Sequence, residues 1–116
     1  MKPQHWPATT FRWEDFADGG RICRPVNTDV SDTLGGGLVE LRASRIPWTV
    51  RYDELLYVID GHLSLEANDR SFEAHSGDLI WLPEGTAIVY GTPSWTRFLW
   101  VLYPADWALR SKDVPS

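Results

Sequence analysis

The chain has 116 residues, 43% hydrophobic and 13% aromatic with seven Trp, enough apolar area for one packed core and too much for a disordered segment. A net charge of -5 and a pI near 5.0 argue against a nucleic-acid or anionic-membrane partner, since both need a basic face. The eleven Lys and Arg form no run, and Cys23 is the only cysteine, so no intramolecular disulfide can form and a reducing cytoplasm is the expected compartment.

The opening MKPQHWPATTFRWEDF has no apolar stretch of the kind a secretory leader carries, and the longest uncharged apolar run, FLWVLYPA at 98–105, is far shorter than a bilayer span. Residues 1–33 are rich in Pro, Asp and Thr without a sustained period. They read as an N-terminal arm with one short strand near 21–26, packing on the following domain or on a partner subunit.

After the Gly35-Gly36-Gly37 break, short runs rich in Val, Ile, Leu, Tyr, Phe and Trp follow one another at 37–43, 55–59, 62–67, 71–74, 79–82, 87–90 and 97–103. Between them stand Asp60-Gly61, Asn68-Asp69-Arg70, Ser76-Gly77-Asp78, Pro83-Glu84-Gly85 and Thr92-Pro93-Ser94. Each is a turn signal, because Gly permits positive φ and Asn or Asp closes turns. Strands recurring about every eight to twelve residues predict a β-sandwich or barrel, here over 34–108, with a C-terminal tail at 109–116. Leu63, Leu65 and Ala67 alternate with His62, Ser64 and Glu66, which predicts one wet face. LIWLP at 79–83 and FLWVLY at 98–103 are apolar on both faces, so a second layer must cover them, either the arm or a partner in a homodimer. PADWALRSK at 104–112 predicts a helical turn beginning at Pro104.

Two stretches together resemble the cupin family of jelly-roll barrels. In PWTVRYDELLYVIDG, six residues separate Glu54 from Gly61, and in GDLIWLPEG, five separate Gly77 from Pro83. The resemblance implies metal-ligand positions at Trp48, Val50, Glu54 and Ile88, of which three carry no coordinating atom. A narrower likeness, to the ethanolamine-utilisation EutQ group of cupins, rests on P-W-T-x-x-Y-D-E-x-x-Y-V-x-x-G, G-D-x-x-x-x-P-x-G and the closing Y-P-A-D-W at 103–107. That group implies a metal-free, often dimeric barrel, with an acetate kinase activity proposed for some members. No cofactor is implied.

Glu54 is the leading candidate for chemistry. If it faces the lumen, then Leu56 and Val58 do too, and a carboxyl set against apolar walls is raised in pKa, which suits an acid, a base or a receptor for a polar group. It can equally be a structural hydrogen-bonding member of the barrel. Tyr52 shares its face in a regular strand, while Asp53 points away. Tyr57, Tyr90, Trp48, Trp81 and Trp100 supply rings that can surround the lumen, most of them as packing. Trp48, Val50, Tyr57, Ile88 and Tyr90 are therefore the candidate ligand-binding residues, with Glu54 and Tyr52 as candidate acid or base. His5, His62 and His75 lack H-x-H spacing and read as surface or turn residues. Cys23, between Arg21 and Arg24, reads as an inert thiol, and the Gly35 to Gly37 run lacks the Lys-Ser/Thr of a phosphate loop. The predicted function is binding of a small polar or carboxylate metabolite in the lumen. The alternatives are an enzyme acting on a small carboxylate, amine or acyl phosphate through Glu54, and a metal enzyme with unusual ligands.

Overall fold

The computed structural model describes residues 2–111. Nine strands, β1 (Glu14–Asp15), β2 (Gly20–Val26), β3 (Gly35–Arg42), β4 (Arg45–Thr49), β5 (Asp53–Ala67), β6 (Arg70–His75), β7 (Leu79–Leu82), β8 (Ala87–Gly91) and β9 (Trp95–Tyr103), precede one short helix, α1 (Trp107–Ser111). All pairings are antiparallel, in the order β1-β2-β3-β9-β5-β8-β4, with β6 and β7 also pairing to β5. The sheet curls on itself as a jelly-roll barrel, the all-β fold that the spacing of turn signals predicts.

Strand β5 holds the barrel together. Asp60-Gly61 reads as a hairpin turn in sequence, yet β5 runs through it for 15 residues. A register shift between Val58 and Asp60, with Gly61 at φ +80°, bends the strand instead. The bend also changes which parity faces inward: Glu54, Leu56 and Val58 are buried before it, Leu63 and Leu65 after it. An extra residue in one strand has this effect because side chains alternate with period two. The first half of β5 pairs with β7 and β9, the second with β6 and β8. A Cβ at Gly61 would lie 2.1 Å from the Trp95 carbonyl oxygen, so only glycine fits the bend.

Strands β1 and β4 escape the sequence reading, whereas β2 is the short strand expected near 21–26. Strand β4 contains Pro47, which argues against a central strand; it lies at the end of the strand order and pairs only with β8, the edge position where a missing N–H is tolerated. The N-terminal segment contributes two strands, β1 and β2, and β2 pairs with β3, so part of the predicted arm extends the sheet itself. Ile22 and Cys23 are buried there, and burial raises the Cys23 thiol pKa. The core is closed by Leu41, Val50, Leu56, Val58, Leu63 and Leu65, all essentially inaccessible. The predicted helical turn is α1, starting at Trp107 rather than Pro104; Lys112 and the rest of the predicted tail beyond Ser111 lie outside the described residues. Among the described residues no helix is long and apolar enough to cross a membrane.

Candidate ligand site in the barrel lumen

The inward face of the sheet, together with α1, encloses a cavity of about 560 Å³. Alternation on β9 sends Phe98, Trp100 and Leu102 inward and leaves Leu99 and Tyr103 outside. On β3 the same rule sends Val39 and Leu41 in, and β5 and β8 contribute Glu54 and Tyr90. Helix α1 brings Trp107 over the mouth, where its ring lies 5.0 Å from Tyr52 and 6.0 Å from Trp48.

Glu54 is 5% exposed. Its Oε1 accepts a hydrogen bond from the Tyr90 hydroxyl at 2.7 Å. Burial pushes the carboxyl up to about 7, against the opposing pull of the Tyr90 hydrogen bond; desolvation outweighs one neutral donor because the charged form loses its water shell. Burial, and next the nearby Glu54 charge, also raise the Tyr52 and Tyr90 phenols, so both are neutral donors at physiological pH. Tyr52 accepts the Trp48 indole N–H at 2.9 Å and is itself buried. Phe98 stacks parallel to Tyr90 at 6.3 Å. Arg24, a basic residue of the cavity wall, is tied to Glu14 at 2.9 Å.

The structure thus brings Glu54, Tyr52, Tyr90 and Trp48 together at one cavity. The other candidates fall elsewhere. Tyr57 is 41% exposed and points outward, because it lies one residue out of phase with Leu56 and Val58, and Trp81 is outward on β7 for the same reason. Val50 and Ile88 are buried in the core and do not line the cavity. Asp53 accepts the Glu84 backbone N–H at 2.9 Å, a structural tie between β5 and the turn before β8. Sequence reading misses Phe98, Arg24 and Trp107 as cavity residues. Phe98 is recoverable from its parity with Trp100, whereas Arg24 depends on where β2 lands.

The usual cupin metal positions do not fit a metal here. Trp48 offers only a donor N–H, already engaged with Tyr52; Val50 and Ile88 are aliphatic; Glu54 alone carries a ligand atom. Among the described residues no group of three or more His, Cys, Asp or Glu is placed to hold a metal ion. His62 and His75 face each other across β5 and β6 with ring centroids 4.7 Å apart, and His62 contacts Glu73. They sit away from the lumen, and His5 is exposed.

An antiparallel barrel closed by one long bent strand, with Glu54 of that strand meeting Tyr90 of β8 inside it, has the fold of the RmlC-like cupins. The fold is similar to that of an RmlC-like cupin from Shewanella frigidimarina NCIMB 400, with a TM-score of 0.77, 14% identity and 97% of both chains covered, a likeness of fold alone. Residues 18–109 match the family described as ethanolamine utilisation protein EutQ, and the chain belongs to that family. It is 45% identical over 78 residues to a protein named acetate kinase EutQ from Clostridioides difficile (strain 630), covering 67% of this chain and 50% of that one. The solved structure of the Clostridium difficile EutQ protein is 39% identical with a TM-score of 0.73, covering 76% of this chain and 70% of that one. The chain spans half or less of the length of the curated relatives it matches.

Proposed function

We propose that this EutQ-family cupin binds a small organic metabolite in its lumen through a polar group, a hydroxyl, carbonyl or carboxyl, held at Glu54. The observation that carries this reading is the buried Glu54–Tyr90 hydrogen bond on the wall of a cavity large enough for a ligand. A satisfied carboxyl against apolar walls is what convergent polar groups in a binding pocket look like. Tyr52 and Trp48 shape the mouth. The test is calorimetry against a metabolite panel with the wild-type protein, Glu54→Gln and Tyr90→Phe. A binder weakened at least tenfold by either substitution supports the reading; a binder indifferent to both sinks it.

A second reading, an enzyme with Glu54 as acid or base, is favoured by one observation: a carboxyl near 7 populates both protonation states at neutral pH, the condition for efficient proton transfer. The name acetate kinase carried by longer relatives makes acetate or an acetyl phosphate the first substrates to assay. Turnover abolished by Glu54→Gln with the fold intact supports it. Against phosphate chemistry stands the cavity wall itself, where Arg24 is already neutralised by Glu14 and phosphate recognition calls for available basic groups.

For the assembly we propose a homodimer through the outer face of β5, β7 and β9. Leu55, Tyr57 and Ile59 stand there beside Leu79, Trp81, Leu99 and Tyr103, with Leu79 65% and Trp81 59% exposed. A contiguous apolar face of this kind marks an interaction surface, and a two-fold axis lets one patch cover its own copy. For the compartment we propose a reducing cytoplasm, supported by the lone buried thiol of Cys23.

A further inference from the structure

The reading of the lumen as a ligand site leaves open which polar group is selected there, and the hydrogen bonds of Glu54 and Tyr52 bear on it. Glu54 has one oxygen committed and one free. Oε1 accepts from Tyr90. Oε2 has no partner among the described residues, and it is not among the buried polar atoms sealed off without one, as the Trp100 indole nitrogen is. It is an acceptor open to the cavity that Glu54 lines.

Tyr52 is the converse. Its oxygen accepts the Trp48 indole N–H at 2.9 Å, which occupies a lone pair and leaves the phenol's own proton. No acceptor takes that proton among the described residues. Tyr52 lines the same cavity. Burial, and next the Glu54 charge, raise its phenol, yet no hydrogen bond joins the two side chains. They stand close with a gap between them.

The lumen therefore offers one donor beside one acceptor, and the head groups a ligand could bring are not equivalent there. A hydroxyl both donates and accepts. A ketone leaves Oε2 unmatched, and an ammonium has no lone pair for Tyr52. A carboxylate has no proton for Oε2 and sets a second negative charge beside it, with the one basic lining residue, Arg24, already tied to Glu14. Polar groups left unpaired in a buried site are what rejects the wrong ligand. Around this pair Val39, Leu41, Phe98 and Leu102 present apolar surface, which gains from burying a carbon skeleton.

We propose that the lumen selects an alcohol on an apolar skeleton, its hydroxyl donating to Glu54 Oε2 and accepting from the Tyr52 phenol. The proposal rests on the lumen being the ligand site, and it narrows the polar group held at Glu54 to a hydroxyl and makes Tyr52 a specificity residue.

Four probes with one skeleton and different head groups test it: cyclohexanol, cyclohexanone, cyclohexylamine and cyclohexanecarboxylate, titrated by NMR into the wild-type protein at pH 6 and pH 8. Besides Glu54, the charged or titratable groups on the cavity wall are Arg24, Tyr52, Tyr90 and Asp106. Glu54 titrates at about 7, so at pH 8 its Oε2 only accepts, whereas at pH 6 its protonated form can also donate to a ketone. We expect cyclohexanol to shift Glu54 and Tyr90 at both pH values and, at pH 8, to bind about tenfold more tightly than each of the other three. The gap to cyclohexanone should close to about threefold or less at pH 6, and Tyr52→Phe should weaken cyclohexanol about tenfold. The wild-type pattern decides the matter even where Tyr52→Phe fails to fold, as checked by circular dichroism. Cyclohexanone binding as well as cyclohexanol at pH 8 overturns the proposal, as does unchanged cyclohexanol affinity in a folded Tyr52→Phe. If the amine or the carboxylate binds best and shifts Glu54 and Tyr90, this inference fails and the lumen site survives. If none of the four moves either residue, the proposal fails and the site itself loses support.

Discussion

Tyr90 on β8 and Glu54 on β5, 36 residues apart in sequence, meet inside the barrel with the phenol donating to Oε1 at 2.7 Å. Tyr90 itself pairs with Leu65, in the half of β5 beyond the bend. The hydrogen bond therefore links the two halves of the barrel across the lumen.

The elevated Glu54 pKa has a definite sign in stability. The folded carboxyl titrates at about 7 and the unfolded one at the ordinary 4.5, so between these values the unfolded chain releases its proton first. Glu54 thus costs nothing below 4.5, costs progressively more as pH rises through the interval, and costs about 3 kcal/mol above 7. Urea unfolding of the wild-type protein and Glu54→Gln from pH 4 to 8 reads this directly. The variant gains relative stability over that window, and two parallel profiles would mean that the carboxyl is not desolvated. Taking the difference removes the lowered carboxyls of Glu40, Glu66 and Glu73, which act in the opposite sense on both proteins.

Tyr90→Phe deletes the donor and leaves the carboxyl buried. Because that hydrogen bond lowers the Glu54 pKa, its loss moves the carboxyl titration upward, measurable as a shifted midpoint of the Glu54 ¹³Cδ resonance. Stability falls by about 1–3 kcal/mol. A midpoint that stays in place or drops would show that the phenol does not support the ionised form.

On β3, Gly37→Ala brings a Cβ to within 2.0 Å of the Cys23 carbonyl oxygen as well as against Trp100, whereas at Gly36 the nearest atom is at 3.6 Å. Overpacking of this kind costs about 1–3 kcal/mol or more. Chemical denaturation should show that loss for Gly37→Ala and a clearly smaller one for Gly36→Ala; equal losses would point to strand propensity rather than the close approach.

The proposed dimer face gives a mass prediction. Light scattering should report twice the 13.2 kDa chain mass for the wild-type protein and a monomer for Trp81→Glu with Leu99→Glu. A wild-type monomer at tens of micromolar removes the proposal.

Metal independence is checked by chelation. With an aliphatic side chain at Val50 and Ile88, EDTA treatment should leave Tm unchanged, and elemental analysis should find no stoichiometric transition metal. A Tm drop reversed by added zinc or iron would overturn this.

Much of the barrel is legible in the sequence, because local chemistry sets it. Gly, Asn and Asp fix where the chain turns, and two-residue alternation fixes which side chains share a face. Hence Glu54, Leu56 and Val58 come out on one wall; that Trp48, Val50 and Ile88 stand at metal-ligand positions is implied by the family resemblance alone. Tyr57, a lumen candidate in the sequence reading, and Trp81, one of its possible lumen rings, lie outside in the structure. Two decisions belong to the tertiary structure alone. Asp60-Gly61 has the local chemistry of a hairpin turn, and only the neighbouring β9 backbone, crowding Gly61, turns it into a bend within one long strand. Trp100 finds room against β3 only because Gly37, 63 residues earlier, lies across the sheet from it. Contacts of that range depend on which strands become neighbours, and no local pattern of residues carries that information.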